Sequence, residues 1–166
     1  PRGIAVPVGQ RHCLARLLGI ALARVVVRHS NASLVDVSVG HAEVRIDDSM
    51  VMIGGGEVVD HPPTPTGIHL YVKDADAVYE RALQAGATSL YAPIDQFYGD
   101  REAGVKDLAG NHWYIATHGA TGHRPEGYRT VTPFLHPRGA ERMIDFLDMA
   151  FGAEELSRAH TPDGVI

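Results

Sequence analysis

Two stretches of this chain, 1–56 and 66–118, share one order of predicted elements, and this repeat constrains the fold more than any other feature. In each stretch a strand is followed by a helix and then by three more strands. Pro62, Pro63 and Pro65 lie between the two stretches and mark a boundary, because proline interrupts regular structure. The repeat therefore predicts two copies of one βαβββ module.

The second copy carries the clearest local signals. Alternation of Ile68, Leu70 and Val72 with polar and aromatic residues predicts a half-buried strand. A helix is predicted from Asp74 to Ala85, with Asp74 as its N-cap and Gly86 as its left-handed stop. The three following strands are predicted at Thr88–Tyr91, Val105–Asp107 and Trp113–Thr117, with a turn-rich loop through Asp95, Tyr98, Gly99 and Asp100 after the first of them.

The first copy follows the same order with weaker signals. A strand at 4–8 is followed by a helical stripe that includes Cys13 and ends near Gly19. Strands are then predicted at 25–28, 36–46 and 50–53, and the last two are joined by a tight turn at 47–49.

A third module begins after a predicted linker at 119–127. Residues 128–166 contain a predicted strand at 131–135, a helix at 139–151 that stops at Gly152, and a strand at 154–160. A βαβ piece of this size cannot bury its apolar face alone. We expect it to be exchanged with a partner chain, or to belong to a longer tandem protein.

Composition narrows the class of protein. Apolar residues make up 45% of the chain and charged residues 21%, which is typical of a globular protein rather than a disordered one. The net charge of −5 disfavours nucleic-acid binding, and no apolar run is long enough to span a membrane. A single cysteine, Cys13, forms no internal disulfide, so we expect a reducing, cytoplasmic compartment.

Strand alternation indicates which residues would line a binding site. On each of three predicted strands, polar and aromatic residues share the face opposite the apolar one; they are His41 and Glu43, His69 and Tyr71, and His112 and Tyr114. If the strands curve into one sheet with helices outside, these residues line a common interior suited to a polar or planar small molecule. The alternative is a partly solvated sheet face with no ligand.

The loop before the third predicted strand of the second copy contains Asp100 and Arg101. Arg101 is expected to act as a positive clamp at the mouth of the pocket, or else the two residues form only a surface ion pair. The ten histidines form no strong metal-binding motif, since His-Glu-x-x-His is absent. His41-Ala42-Glu43 has the His-x-Glu spacing of zinc deaminases, but the Cys-x-x-Cys that must accompany it is impossible with one cysteine.

Three segments carry a resemblance to a known family. They are Tyr98-Gly99-Asp100-Arg101 with Gly104-Val105, Gly110-Asn111 through Trp113 to His118, and Pro125-Glu126-Gly127-Tyr128 through Thr132-Pro133-Phe134 to Glu154. His41 to Ile46 also resembles the family's third strand. The chain resembles the PhnB-like branch of the glyoxalase/bleomycin-resistance protein/dioxygenase (vicinal oxygen chelate) superfamily. The resemblance implies an α+β fold of paired βαβββ modules, whose curved mixed sheet encloses a cavity with the helices outside.

The resemblance also bears on metal binding. Metal-dependent members place a His early and a Glu late in each module, and these positions align here with Gly3, Gly54, Gly67 and Tyr114. None of the four is a good ligand for a divalent ion, so no metal or other cofactor is expected. The alternative is an unorthodox divalent metal site made by His41, Glu43 and His69.

The strand alternation and the family resemblance together predict a metal-independent small-molecule-binding protein. The predicted ligand-binding residues are His41, His69, Tyr71, Tyr98, Arg101, His112 and Tyr114. One alternative is an enzyme, a metal-dependent lyase, isomerase or dioxygenase of the same superfamily, with Glu43 as the candidate catalytic base. The other is a non-catalytic module that forms a homodimer by exchange of the C-terminal segment. The expected partners are a small organic ligand and a second copy of the chain.

Overall fold

The computed structural model describes residues 41–54, 63–119 and 122–158 of the 166-residue chain. The predicted elements before His41 lie outside the described residues. The described elements, in chain order, are β1 (His41–Ile46), β2 (Ser49–Gly54), β3 (Gly67–Tyr71), α1 (Ala75–Gln84), β4 (Thr88–Asp95), β5 (Asp100–Lys106), β6 (His112–His118), β7 (Val131–Phe134) and α2 (Ala140–Phe151). This mixture of strands and helices confirms the predicted α+β class.

The second predicted module is present as one βαβββ unit. Strands β3 to β7 form a five-stranded sheet in the order β4-β5-β6-β3-β7. β3 lies parallel to β6, and every other pair in this sheet is antiparallel. The parallel pair is possible because α1 supplies the crossover connection after β3. The predicted order of strand, helix and three strands is confirmed for 66–118.

Strands β4 and β5 are longer than predicted, and the added residues of β5 belong to the site described below. β5 begins at Asp100, not at Val105, and β4 extends as far as Asp95. Only the turn at 96–99 remains of the predicted turn-rich loop, and Gly99 takes a positive φ of 99° there. The loop prediction is therefore wrong for Asp95, which belongs to β4, and for Asp100 and Arg101, which pair with β6.

Helix α1 begins and ends as its sequence predicts. The Asp74 side chain accepts a hydrogen bond from the backbone N–H of Ala77 at 2.9 Å, and Gly86 follows the helix with a φ of 99°. The side chains of Val78 and Tyr79 are buried against the sheet, where they meet Val105 and Ile115. The helix thus covers one face of the five-stranded sheet, and the residues that alternate with those core positions point to the other face.

β1 and β2 form a separate two-stranded hairpin, joined by the predicted turn. Its tip is tied to the start of β7, because Asp48 Oδ1 accepts from the Thr130 backbone N–H and Ser49 Oγ accepts from the Val131 N–H, both at 3.0 Å. Asp48 Oδ2 also accepts from Arg124 at 2.8 Å. The hydrogen bond from Thr130, helped by Arg124, holds the pKa of Asp48 well below its usual range.

The chain divides into two compact units, 1–134 and 135–166. The boundary follows β7, which is the edge strand beside β3 in the first unit. In the second unit α2 ends at Gly152, in the left-handed conformation that the sequence predicts. Residues 154–158, where a strand was expected, adopt no regular structure. Exchange of this segment with a partner chain stays a prediction.

No helix within the described ranges is long and apolar enough to cross a membrane.

Candidate functional site

A cavity of about 580 Å³ lies on the face of the five-stranded sheet opposite α1. All its described lining residues belong to the unit 1–134, and most are aromatic or ionisable. They are His69, Tyr71, Tyr98, Asp100, Glu102, Tyr114, His118, Pro125, Tyr128, Thr132, Pro133 and Phe134. The volume falls within the range of typical small-molecule sites.

Strand alternation places the ionisable residues in this cavity. On β5, Ala103 and Val105 are buried in the core beneath α1. Because successive side chains of a strand point to opposite faces, Asp100 and Glu102 project into the cavity. The same rule applied to β3 and β6 brings His69 and Tyr114 to the cavity face.

Glu102 is the centre of a buried hydrogen-bond network. Its side chain is 7% exposed, and it accepts hydrogen bonds from His69 Nε2 at 2.9 Å, Tyr91 OH at 2.5 Å and Tyr98 OH at 3.1 Å. Burial alone would raise the pKa of Glu102, but the hydrogen bonds from His69 and the two phenols outweigh it and hold this pKa below its ordinary value. The carboxylate is therefore ionised in the folded protein at neutral pH.

His69 is held in one orientation by this carboxylate. Its Nε2 donates to Glu102, while its Nδ1 is buried and has no hydrogen-bond partner among the described residues. The ring lies 4.6 Å from that of Tyr71 and 6.1 Å from that of Phe134, measured between centroids. The hydrogen bond to Glu102 and the ring contacts thus fix the orientation of the imidazole in the wall of the cavity.

A second carboxylate–imidazole pair lines the same cavity. His118 Nδ1 donates to Asp100 Oδ1 at 2.5 Å; the Asp100 side chain is 4% exposed, whereas that of His118 is 37% exposed. Asp100 and Glu102 are two residues apart on β5 and share the cavity face. The cavity therefore contains two buried carboxylates, each hydrogen-bonded to one histidine.

Aromatic rings form the remaining walls. Tyr71 meets Tyr128 edge-to-face at a centroid distance of 5.6 Å, and Tyr114 meets Phe134 in the same way at 5.1 Å. Burial, together with the charge of Asp100, raises the pKa of Tyr71, and burial with the charge of Glu102 raises the pKa of Tyr98. Both phenols remain protonated and can donate hydrogen bonds.

Gly104 on β5 makes room for Tyr91 to reach Glu102. A Cβ atom at position 104 would lie only 2.4 Å from Tyr91 Cε1, and two further ring atoms would be within 2.9 Å. We expect Gly104→Ala to displace the Tyr91 ring, break its hydrogen bond to Glu102 and lower the free energy of unfolding by about 1–3 kcal/mol. Urea unfolding measures the loss. If Gly104→Ala lowers the free energy of unfolding as much in a Tyr91→Ala background as in the wild type, the steric explanation is contradicted.

Of the predicted ligand-binding residues, four line the cavity: His69, Tyr71, Tyr98 and Tyr114. The others lie elsewhere in the structure. Arg101 belongs to the opposite face of β5, where its guanidinium binds Asp76 at 2.5 and 2.7 Å and Asp95 at 3.0 Å. These two carboxylates raise its pKa. The structure thus places Arg101 in an ion-pair network and not at the mouth of this cavity.

His41 and Glu43 are on the separate hairpin. Their side chains approach each other at 3.8 Å, and His41 is half exposed. Neither lines the cavity beside His69, and His112, at the start of β6, does not line it either. Alternation predicts which face of a strand a residue occupies, but the position along the strand decides whether the residue reaches the cavity.

Four residues that line the cavity, Glu102, His118, Tyr128 and Phe134, are not among the predicted site residues, and Asp100 is predicted only together with Arg101, as a clamp or an ion pair. The sequence does contain a pattern that places the two acids on one face of a strand: Asp100 and Glu102 are acidic, whereas Ala103 and Val105 on the alternate positions are apolar. That alternation indicates a strand with an acidic face, but the preceding Tyr98-Gly99 turn favoured a loop. Tyr128 and Phe134 reach the site through the pairing of β7 with β3, which links distant parts of the chain.

The donor set of the structure does not fit the divalent metal that the family resemblance associates with its catalytic members. Of the aligned positions, Gly54 and Gly67 have no side-chain ligand, Tyr114 is a phenol in the aromatic wall, and Gly3 lies outside the described residues. Within the described ranges no three His, Cys, Asp or Glu side chains are placed to hold a metal ion. The alternative site of His41, Glu43 and His69 is not assembled, since only His69 lines the cavity.

Comparison with known sequences finds relatives for part of the chain. No protein-family model matches the sequence. The uncharacterized proteins Mb0911c of Mycobacterium bovis and Rv0887c of Mycobacterium tuberculosis are each 42% identical to it over 85 residues. The alignments cover 45% of this chain and 56% and 50% of the two relatives. The chain thus spans about half the length of the curated relatives it matches.

Solved structures are also similar to part of this chain. TioX from Micromonospora sp. ML1 is 25% identical, with a TM-score of 0.48 over 63% of this chain and 84% of TioX. A member of the glyoxalase/bleomycin resistance protein/dioxygenase superfamily from Sphaerobacter thermophilus is 16% identical, with a TM-score of 0.44 over 67% of this chain and 90% of that protein.

Proposed function

We propose that this chain is a metal-independent small-molecule-binding protein of the glyoxalase/bleomycin-resistance superfamily, of its PhnB-like branch, and that the ligand occupies the cavity described above. The observation that carries the proposal is the lining of that cavity. Aromatic rings form much of its wall, and two buried, hydrogen-bonded carboxylates line it from one strand.

The lining is more typical of a binding site than of a solvated sheet face. The side chains of Glu102 and Asp100 are 7% and 4% exposed. Burial of a charged group lowers the stability of the fold, and buried ionisable groups are therefore concentrated at functional sites. Aromatic walls with a few fixed polar groups recognise a ligand with an apolar or planar body. Metal independence is supported by the donor set, because within the described residues no three His, Cys, Asp or Glu side chains are grouped so that they could hold a metal ion.

The proposal is tested with a neutral aromatic probe, 2-naphthylmethanol, and isothermal titration calorimetry. We expect the wild-type protein to bind the probe and Thr132→Trp to lose binding, because Thr132 lines the cavity and a tryptophan there fills it. Thr88→Trp is the matched control, since Thr88 is exposed on β4 and does not line the cavity. We expect it to bind like the wild type.

Two results would contradict the proposal. Equal binding by Thr132→Trp and wild type would place the probe outside the cavity. Loss of binding in a chelator such as EDTA, with recovery on addition of a divalent ion, would contradict metal independence. Circular dichroism of each variant shows whether the fold is retained.

A further inference from the structure

The charge of the cavity lining indicates a class of ligand. The described lining residues include Asp100 and Glu102 but no lysine or arginine. The two histidines carry a positive charge only when protonated, whereas both carboxylates face the cavity from a single strand. A site of this composition favours a ligand that brings a positive charge or several hydrogen-bond donors.

Asp100, rather than Glu102, can accept a further hydrogen bond from such a ligand. Glu102 already accepts three hydrogen bonds, from His69, Tyr91 and Tyr98. Among the described residues Asp100 accepts only one side-chain hydrogen bond, from His118 at Oδ1. The other oxygen of the Asp100 carboxylate, Oδ2, is therefore left to accept a hydrogen bond from a ligand donor.

The rings near Asp100 suit the same ligand. Tyr71 and Tyr98 lie close enough to this carboxylate for its charge to raise the pKa of both phenols, and all three residues line the cavity. The Tyr71 ring meets that of Tyr128 edge-to-face. Aromatic faces attract a cation, and they also pack against the apolar body to which it is attached.

We infer that the cavity selects a protonated amine attached to an aromatic or apolar body, with the ammonium group hydrogen-bonded to Asp100 Oδ2 and the body packed among the Tyr71, Tyr128 and Phe134 rings. The inference rests on the proposed function, because it names the class of ligand for the same cavity. It assigns Asp100 as the residue that determines ligand specificity.

The experiment compares three probes that share a naphthyl body and differ in charge: 2-naphthylmethylammonium, 2-naphthylmethanol and 2-naphthoate. We expect the wild-type protein to bind the ammonium probe about tenfold or more tightly than the alcohol, because a hydrogen bond to a buried charge is stronger than a neutral one. The carboxylate probe is expected to bind most weakly, since it would be repelled by two negative groups.

Asp100→Asn tests the assigned residue. It removes the charge at nearly constant shape, and the ammonium and alcohol probes should then bind with similar affinity. Asp95→Asn is the matched control, because it removes one negative charge from a side chain that is 83% exposed and pairs with Arg101 on the opposite side of the sheet. We expect this control to keep the preference for the ammonium probe.

The outcomes separate the inference from the proposed function. Equal binding of the alcohol and ammonium probes by the wild type overturns the inference and leaves the proposed function standing. The same holds if Asp95→Asn removes the preference as fully as Asp100→Asn does, since the effect is then one of overall charge. Failure of all three probes to bind contradicts the proposed function as well. The wild-type comparison needs no variant, so the test stands even if Asp100→Asn does not fold.

Discussion

Replacement of Glu102 by alanine is expected to lower the free energy of unfolding by about 3 kcal/mol or more. The substitution leaves the buried His69 Nε2–H and the Tyr91 hydroxyl without their acceptor, and each unsatisfied buried donor costs about 1–3 kcal/mol. Tyr98 contributes less, because it is half exposed and its hydroxyl can turn to water. Urea unfolding at neutral pH measures the loss.

Glu102→Gln shows whether the charge itself matters. The pKa of Glu102 is lowered in the folded protein from its ordinary value of 4.5, so ionisation of this group stabilises the fold above that pH. The contribution is lost as the pH falls through the folded-state pKa. We therefore expect the wild type to be more stable than Glu102→Gln at about pH 7, and the difference to shrink towards about pH 3. A difference that is constant with pH would contradict an ionised Glu102.

Glu80→Gln is the control for both measurements. Glu80 is an exposed carboxylate on α1, so its replacement changes the net charge equally without touching the cavity. We expect its stability to stay within about 0.5 kcal/mol of the wild type. A loss as large as that of Glu102→Gln would attribute the effect to net charge instead of the buried network.

Ile115→Ala is expected to destabilise the fold by about 2–5 kcal/mol. Ile115 lies in β6, is 1% exposed and belongs to the core between α1 and the five-stranded sheet. Removal of its branched side chain leaves a hole that the rigid strand cannot close, so packing contacts are lost in addition to hydrophobic burial. Thermal and urea unfolding both report the change.

The matched control for this core position is Ile94→Ala on β4. Ile94 is 54% exposed, so the same chemical change there should cost far less. Equal destabilisation by the two substitutions would show that the helix-covered face is not the core of this fold. The comparison also tests the assignment of faces from which the cavity was derived.

Strand alternation allowed part of the candidate site to be predicted from the sequence. The apolar residues Ile68 and Leu70 of β3 predict that His69 faces the other way, and Ile115 of β6 does the same for Tyr114. A period of two residues is a local property, and it survives folding because one face of this sheet is covered by α1. His69 and Tyr114 are indeed brought together, with ring centroids 6.3 Å apart.

The start of β5 could not be predicted in the same way. The turn at 96–99 and the charged run Asp100-Arg101-Glu102 have the composition of a loop. Three contacts outside this segment override the local preference: His69 and Tyr91 neutralise the cost of burying Glu102, and Asp76 binds Arg101 on the other face. Such long-range partners cannot be read from a local window of sequence.

For the hairpin residues, the face of the strand was predictable but the position of the strand in the fold was not. His41 and Glu43 share a strand face, as predicted, but β1 pairs only with β2 in the described structure and belongs to a different sheet. The sequence specifies the face of each strand, and the assembly of strands decides which faces meet. Glu43 therefore does not line the cavity, whereas Glu102 does.

The arrangement of β5 has a consequence for how a protein of this kind can diversify. Asp100 and Glu102 line the cavity, while Arg101 binds Asp76 of α1, and Ala103 and Val105 pack in the core beneath that helix. Selection can act on one set with little penalty to the other. A lineage could exchange the acid at position 100 for an amide or a base, and so acquire a new ligand, while the Glu102 network and the buried side of the same strand are inherited unchanged.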